Sequence, residues 1–293
     1  MGKLLIDADQ MIYAAGFAVQ KTSYFVCNPF NDVIPIPRKT KKAAKNWCKE
    51  RNLRGKLQIE IELEPFSHAA HLLRLQANKI LAKYPTYTSV FYLTDDNLAN
   101  NFRTKIAKTV DYKSGRKDIG RPEYYSELRT FLLTKYPSQL VSGYEADDAV
   151  IMNYEEGDII CGIDKDLLQF PGKFYNYSRD EEFEIDERTA NFNFFSQILG
   201  GDVSDSVPGL KYWLNRGTCG EKGLATLFDS AVTRLDFYGR IWAHYQKHLK
   251  EEYQPCVDTE FYVRFQEMAQ LLYLKRTSTD MWSWDYIIDD LND

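Results

Sequence analysis

The stretch "EADDAVIMNYEEGDIICGIDKDLLQF" (145–170) decides how the chain is read. Glu145, Asp147 and Asp148 precede a short apolar run, "DIICGID" (158–164), and Asp164 and Asp166 close it. An apolar run of that length bounded by turn residues fits a strand buried on both faces, and "EADDAVIMNYEE" (145–156) fits a helix packed beside it. Similar runs stand at "KLLID" (3–7), "SVFYLTD" (89–95) and, more weakly, "QLVSG" (139–143). Helix-like segments separate them at 64–84 and 122–136. This alternation predicts an α/β fold with a mostly parallel central sheet flanked by helices and joined by right-handed crossovers.

In such sheets functional groups collect at the carboxyl ends of the strands. Asp7 closes the first run, Asp95 and Asp96 the second, Glu145 to Asp148 follow the third, and Asp164 with Asp166 close the fourth. Parallel strands would put all of these acids on one rim. Carboxylates crowded together raise one another's pKa, so protons or divalent cations must neutralise them. A set of oxygen ligands without His or Cys favours Mg²⁺ or Mn²⁺ over Zn²⁺. Asp pairs also arise by chance, as at Asp289 and Asp290 in the acidic tail, and helix N-caps and strand-end turns favour Asp, so the joint placement carries the inference.

With 44% hydrophobic and 27% charged residues over 293 positions, the composition is that of a soluble globular protein with a sizeable core. The net charge of −5 is unevenly spread: basic residues concentrate in "RKTKKAAKNWCKERNLRGK" (38–56) and "RTKIAKTVDYKSGRKDIGR" (103–121). Five widely spaced cysteines with no CxxC pair suggest neither a zinc site nor a disulfide framework. A reducing, cytoplasmic setting is expected, because the first apolar stretch is broken by Asp7 and Asp9 and fits neither a signal peptide nor a membrane span. Turn chemistry between Asn28 and Asp32 predicts a hairpin over 23–37, and 38–56 reads as a mobile basic surface loop or a guide for single-stranded DNA. Beyond about residue 187 the chain is expected to be helical to about 275, apart from the turn-rich 200–223.

The motifs "LLIDADQMIY", "VFYLTDDNLANNFR", "YKSGR", "EADDAVI", "GIDKDLLQF" and "GDVSDSVPGL" resemble, in order and rough spacing over about 3–225, those of the 5′-nuclease family. That family includes flap endonucleases, the 5′-nuclease domain of bacterial DNA polymerase and bacteriophage 5′→3′ exonucleases. The resemblance implies a metal set of Asp7, Asp95 or Asp96, Glu145, Asp147, Asp148, Asp164, Asp166, Asp202 and Asp205, holding two Mg²⁺ or Mn²⁺ ions. It implies a nuclease core over 1–186 with a helical arch at about 97–121, followed by a helical part over 187–293. In the arch, Lys113 and Arg116, three apart and so able to share a helix face, would stabilise charge on the scissile phosphate. Arg103 and Tyr112 would support or contact the DNA strand.

"DSVPGLKYWLNRGTCGEKGLATLF" resembles the family's helix–turn–helix, implying duplex contacts from Gly209, Lys211, Arg216, Gly217, Gly220 and Lys222 and a K⁺ ion in the turn. The intervening "LKYWLNRGTC" departs from the family's shorter spacing there. The implied activity is 5′→3′ exonuclease or flap endonuclease action on DNA with 5′ ends, flaps or junction duplex, by a monomer similar to the stand-alone bacteriophage members. Two other functions are compatible with part of the pattern. The DxD of "LLIDADQ" also suits a haloacid-dehalogenase-type phosphatase, although Met11 stands where that family usually has Thr or Val. A structure-specific DNA-binding protein without cleavage would need the helical module but not the acids.

Overall fold

The computed structural model describes residues 2–27, 33–38, 40–53, 55–114, 120–210, 220–249 and 257–288. The apolar run at the N-terminus forms β1 (Lys3–Asp7), and α1 (Asp9–Ala18) leads to a small sheet of β2 (Gln20–Cys27), β3 (Val33–Ile36) and β4 (Lys56–Leu63), with α2 (Lys41–Glu50) packed on it. The chain returns through α3 (Phe66–Lys83) to β5 (Thr88–Thr94), then passes α4 (Phe102–Ile106), α5 (Tyr125–Lys135), β6 (Ser138–Val141), α6 (Ala146–Met152) and β7 (Ile159–Cys161). A hairpin of β8 (Gly172–Asn176) and β9 (Glu181–Ile185) completes the main sheet. Helices α7 (Glu187–Gly200), α8 (Glu221–Leu227), α9 (Arg234–Leu249), α10 (Val257–Leu272) and α11 (Asp285–Ile288) follow.

The main sheet has the order β6-β5-β1-β7-β8-β9. Its first five strands in that order run parallel, and only β9 pairs antiparallel, with β8. Alternation within β1 explains the layers. Leu4 and Ile6 pack with Met11, Leu73 and Leu128 from α1, α3 and α5, whereas Leu5 packs with Val150 of α6 and Phe174 on the other face. Each fully buried aliphatic side chain contributes about 1.5–3 kcal/mol, enough to fix the central strand between two helical layers. The later helices build a separate aromatic cluster around Phe194, Phe195, Phe237, Phe265 and Trp282.

The hairpin expected over 23–37 is the β2–β3 pair, with Tyr24 opposite Ile36 and Cys27 opposite Val33. The basic run at 38–56 differs from the expected loop. Thr40 caps α2 by accepting the Ala43 N–H at 3.2 Å, and Ala44 is fully buried against Tyr24, Val26 and Ile36. With Trp47 and Cys48 packed against the same cluster, this short apolar stripe seats a helix whose remaining residues are mostly charged. Within the region of the expected arch the described helix is α4, five residues long. The chain beyond it is tied to α10, where Glu267 accepts the Lys108 and Thr109 N–H groups at 2.8 and 2.7 Å. Among the described residues no helix is long and apolar enough to cross a membrane.

Candidate active site

Because β1, β5 and β7 run parallel, their carboxyl ends open on the same side of the sheet. Asp7 is the last residue of β1, Thr94 the last of β5, and Glu145 and Asp147 stand at the start of α6. Asp164 caps the short 3₁₀ turn after β7 by accepting the Asp166 N–H at 3.1 Å. Asp7, Asp9, Thr94, Glu145, Asp147 and Asp164, with Gln10, Tyr13, Ala146 and Ser204, line a cavity of about 270 Å³.

The charge in this cavity is poorly neutralised. Burial pushes the Asp7 carboxyl well above its ordinary range, and the neighbouring Asp9 and Asp164 push it further. Burial likewise raises Asp9, against the opposing hydrogen bond from the Thr94 N–H at 3.1 Å and the Arg129 guanidinium at 3.7 Å. Asp147 is raised well above its ordinary value by burial, then by Asp148 and Glu145. Next to this group, Asp166 is pushed up to about 6 by burial and by Asp164, with Lys165 pulling the other way.

Other acids of the same motifs are neutralised by the chain itself. Asp148 is fully buried and does not line the cavity: both its oxygens are held by Arg103, at 2.6 and 2.8 Å, and it also accepts the Glu145 and Lys275 N–H groups, each at 3.0 Å. Burial would raise Glu145, but Lys113 and Arg103 outweigh it and hold the carboxyl down at about 2. The Lys113 ammonium pairs directly with Glu145 and stands 3.7 Å from Asp205. The Tyr112 hydroxyl lies 2.9 Å from both Glu145 and Asp205. Lys165 bridges Asp166 at 3.2 Å and Asp202 at 2.5 Å, and despite burial its hydrogen bond keeps Asp202 below the ordinary range.

Several residues singled out from the sequence therefore sit otherwise than expected. Arg103 is 2% exposed, locked between Asp148 and the carbonyls of Leu271 and Tyr273, so it cannot meet DNA from that position. Lys113 lies in a turn with φ of 58°, not on a helix face, and Arg116 lies outside the described residues. Asp95 and Asp96 do not line the cavity: Asp95 accepts the Asn97 N–H and the Ser142 hydroxyl, and Asp96 pairs with Arg121 at 2.7 Å. Lys211, Arg216 and Gly217 lie outside the described residues. Gly220 precedes α8, and Lys222 is exposed in its first turn. Gly209 has φ of 67° and packs on Gly201, where an added Cβ would stand 2.3 Å from the Gly201 nitrogen.

Asp9, Gln10, Tyr13, Arg129 and Lys165 were not among the site residues expected from the sequence. The DxD of "LLIDADQ" was the available signal for Asp9, and Gln10 follows it directly, donating to Asp164 at 3.1 Å. Among the described residues no three His, Cys, Asp or Glu side chains converge closely enough to grip an ion as they stand. The donor set nevertheless suits a hard divalent cation. Asp7, Asp9, Asp147 and Asp164 present only oxygen around one cavity, and a bound cation would offset the burial and repulsion that raise the carboxyls of Asp7 and Asp147.

No family model and no curated protein matches the chain. Among solved structures, T5 5′-exonuclease with bound divalent metal ions (zinc) is similar over 71% of this chain and 79% of that one, at 15% identity and a TM-score of 0.45. A likeness that loose fixes neither activity nor substrate.

Proposed function

We propose that the protein is a divalent-metal-dependent nuclease that hydrolyses DNA phosphodiesters from 5′ ends or at 5′ flaps. The observation that carries this reading is the gathering of Asp7, Asp9, Glu145, Asp147 and Asp164 around one cavity, with the carboxyls of Asp7 and Asp147 driven up by burial and by their neighbours. Mg²⁺ or Mn²⁺ held by these acids, with Asp166, Asp202 and Asp205 beside them, would supply water activation and stabilisation of the leaving oxygen. The chain's own part is to hold the acids in place: Thr94 orients Asp9, Gln10 orients Asp164, and the Arg103–Asp148 pair anchors the start of α6. Lys113, released from Glu145, is the cation assigned to the scissile phosphate, with Arg116 as its assigned helper. Duplex contacts are assigned to Gly209, Gly220 and Lys222, with Lys211, Arg216 and Gly217 between them.

A second reading, phosphomonoester hydrolysis through a phosphoaspartate at Asp7, is favoured by one observation: Asp7 and Asp9 line the same cavity. Digestion of a 5′-labelled flap and a blunt duplex in Mg²⁺ or Mn²⁺ separates the two. The nuclease reading expects 5′-phosphorylated products from the wild type and none from Asp7→Asn. Cleavage by Asp7→Asn at the wild-type rate would remove it, and a labelled Asp7 after incubation with an aryl phosphate would replace it with the phosphatase.

A further inference from the structure

Residues 38–56 carry nine Lys and Arg against one Glu in a chain of net charge −5, so positive charge is concentrated there while the remainder is strongly acidic. The fold gives this run a shape. Lys42, Lys45 and Lys49 are exposed and fall on one face of α2 at spacings of three and four, a stripe about 10 Å long. Among the described residues none of the three is ion-paired, although Arg51 pairs with Glu50 at 3.5 Å.

The small sheet beneath adds a second feature. Leu57, Ile59, Ile61 and Leu63 alternate along β4 and so share a face with the side chains that α2 covers. Leu57 packs in that cluster, whereas Ile59, Ile61 and Leu63 emerge beyond it at 45%, 38% and 39% exposure. Glu60 and Glu62 occupy the opposite face, where Glu62 pairs with Lys21 at 3.1 Å. The module is also tied to the residues that lead to the cavity. Tyr124 donates to the Glu64 carbonyl at 3.0 Å, and the ring of the adjacent Tyr125 meets that of Tyr13, a cavity-lining residue, at 5.4 Å.

We infer that α2 and β4 form an accessory binding surface for single-stranded nucleic acid, with the α2 lysines taking consecutive phosphates and the exposed row on β4 taking unstacked bases. Charge complementarity selects a polyanion, and the exposed apolar row on the same small sheet selects a strand whose bases are free, because a duplex hides its bases. The choice of nucleic acid rests on the proposed function, but the site is separate from the acid-lined cavity.

The test is fluorescence anisotropy of a labelled oligothymidylate titrated with the full chain in EDTA, so that binding is read without cleavage. K42E/K45E/K49E should bind about 10-fold or more weakly than wild type, with the log–log salt slope reduced by about 2. Unchanged binding by this variant, with an unaltered circular-dichroism melt, would overturn the surface. A blunt duplex without tails should bind both proteins alike, and equal weakening there would overturn the single-strand assignment. I59S/I61S should weaken oligothymidylate but not an abasic oligomer of equal length, and no change in either would remove the base-contacting role. Loss of oligothymidylate binding in the triple variant, combined with a wild type that cuts nothing in Mg²⁺, would support this surface while removing the nuclease reading.

Discussion

The guanidinium of Arg103 closes on both oxygens of Asp148, at 2.6 and 2.8 Å, across 45 residues of chain. The pair is buried, and the same carboxylate accepts the Glu145 N–H that begins α6. Removing one partner of such a pair leaves the other charge buried and alone, at a cost of about 3–5 kcal/mol. Asp148→Ala should therefore lower stability by that amount in urea denaturation, with any loss of cleavage following from the unfolding of the α6 start. A variant as stable as wild type would contradict the anchoring role.

Asp7→Asn should behave in the opposite way. Its carboxylate is buried beside Asp9 and Asp164, so neutralising it relieves repulsion. Without metal the melting temperature should hold or rise, while cleavage is lost. A fall in stability of more than about 1 kcal/mol would show that Asp7 has a structural partner worth more than this repulsion.

The cavity predicts a pH profile with two limbs in metal-free protein. Asp166 is at about 6 when folded against an ordinary 3.8, so between those values the folded protein binds more protons than the unfolded chain, and stability rises as pH falls through that window. The raised Asp7 and Asp147 act in the same sense. Glu145 is at about 2 against 4.5, so its contribution is present above 4.5 and drains as pH falls towards 2. Chemical denaturation in EDTA should show greater stability near pH 5 than at pH 7, then a decline below pH 4.5 that is smaller in Lys113→Ala.

Mg²⁺ or Mn²⁺ should raise the melting temperature at pH 7.5, by linkage worth about 2.7 kcal/mol at a hundredfold excess over Kd. The rise should vanish in Asp7→Asn combined with Asp147→Asn. Differential scanning fluorimetry reads this without any substrate, and an equal rise in the double variant would place the ions elsewhere.

Gly209→Ala should cost at least about 2 kcal/mol, because its φ of 67° is strained for any L side chain and the new Cβ would press on the backbone of Gly201. Thermal denaturation of this variant against Gly200→Ala, where the added Cβ meets nothing within 4 Å, isolates the effect.

Four of the five parallel strands were legible, β1, β5 and β7 because burial leaves apolar runs and β6 more weakly: the reading at 3–7 coincides with Lys3–Asp7, and that at 89–95 is one residue from Thr88–Thr94. Strands β4, β8 and β9 were not: "KLQIEIEL" and "EEFEI" put a polar or charged residue at every second position or more and lie at sheet edges, and "GKFYN" holds only two consecutive bulky residues, Phe174 and Tyr175. The acids Asp7, Glu145, Asp147 and Asp164 could be placed at one end of the sheet from strand order alone. Sequence position could not say which way a carboxylate turns. Asp95 and Asp96 follow β5 as closely as Asp7 ends β1, yet they turn to Asn97, Ser142 and Arg121. Asp148 was hidden for a related reason, as its partner Arg103 comes from a distant segment whose basic residues looked free for solvent or DNA.

The two borders of the main sheet are guarded differently. At one, β6 offers four residues, and at the other β9 carries Glu181, Glu182 and Glu184. A second copy adding itself to β9 would have to set like charges side by side, and β6 is too short to template a long ladder. Crowded in solution, the molecule is thereby protected from strand-by-strand fibre growth along its largest sheet.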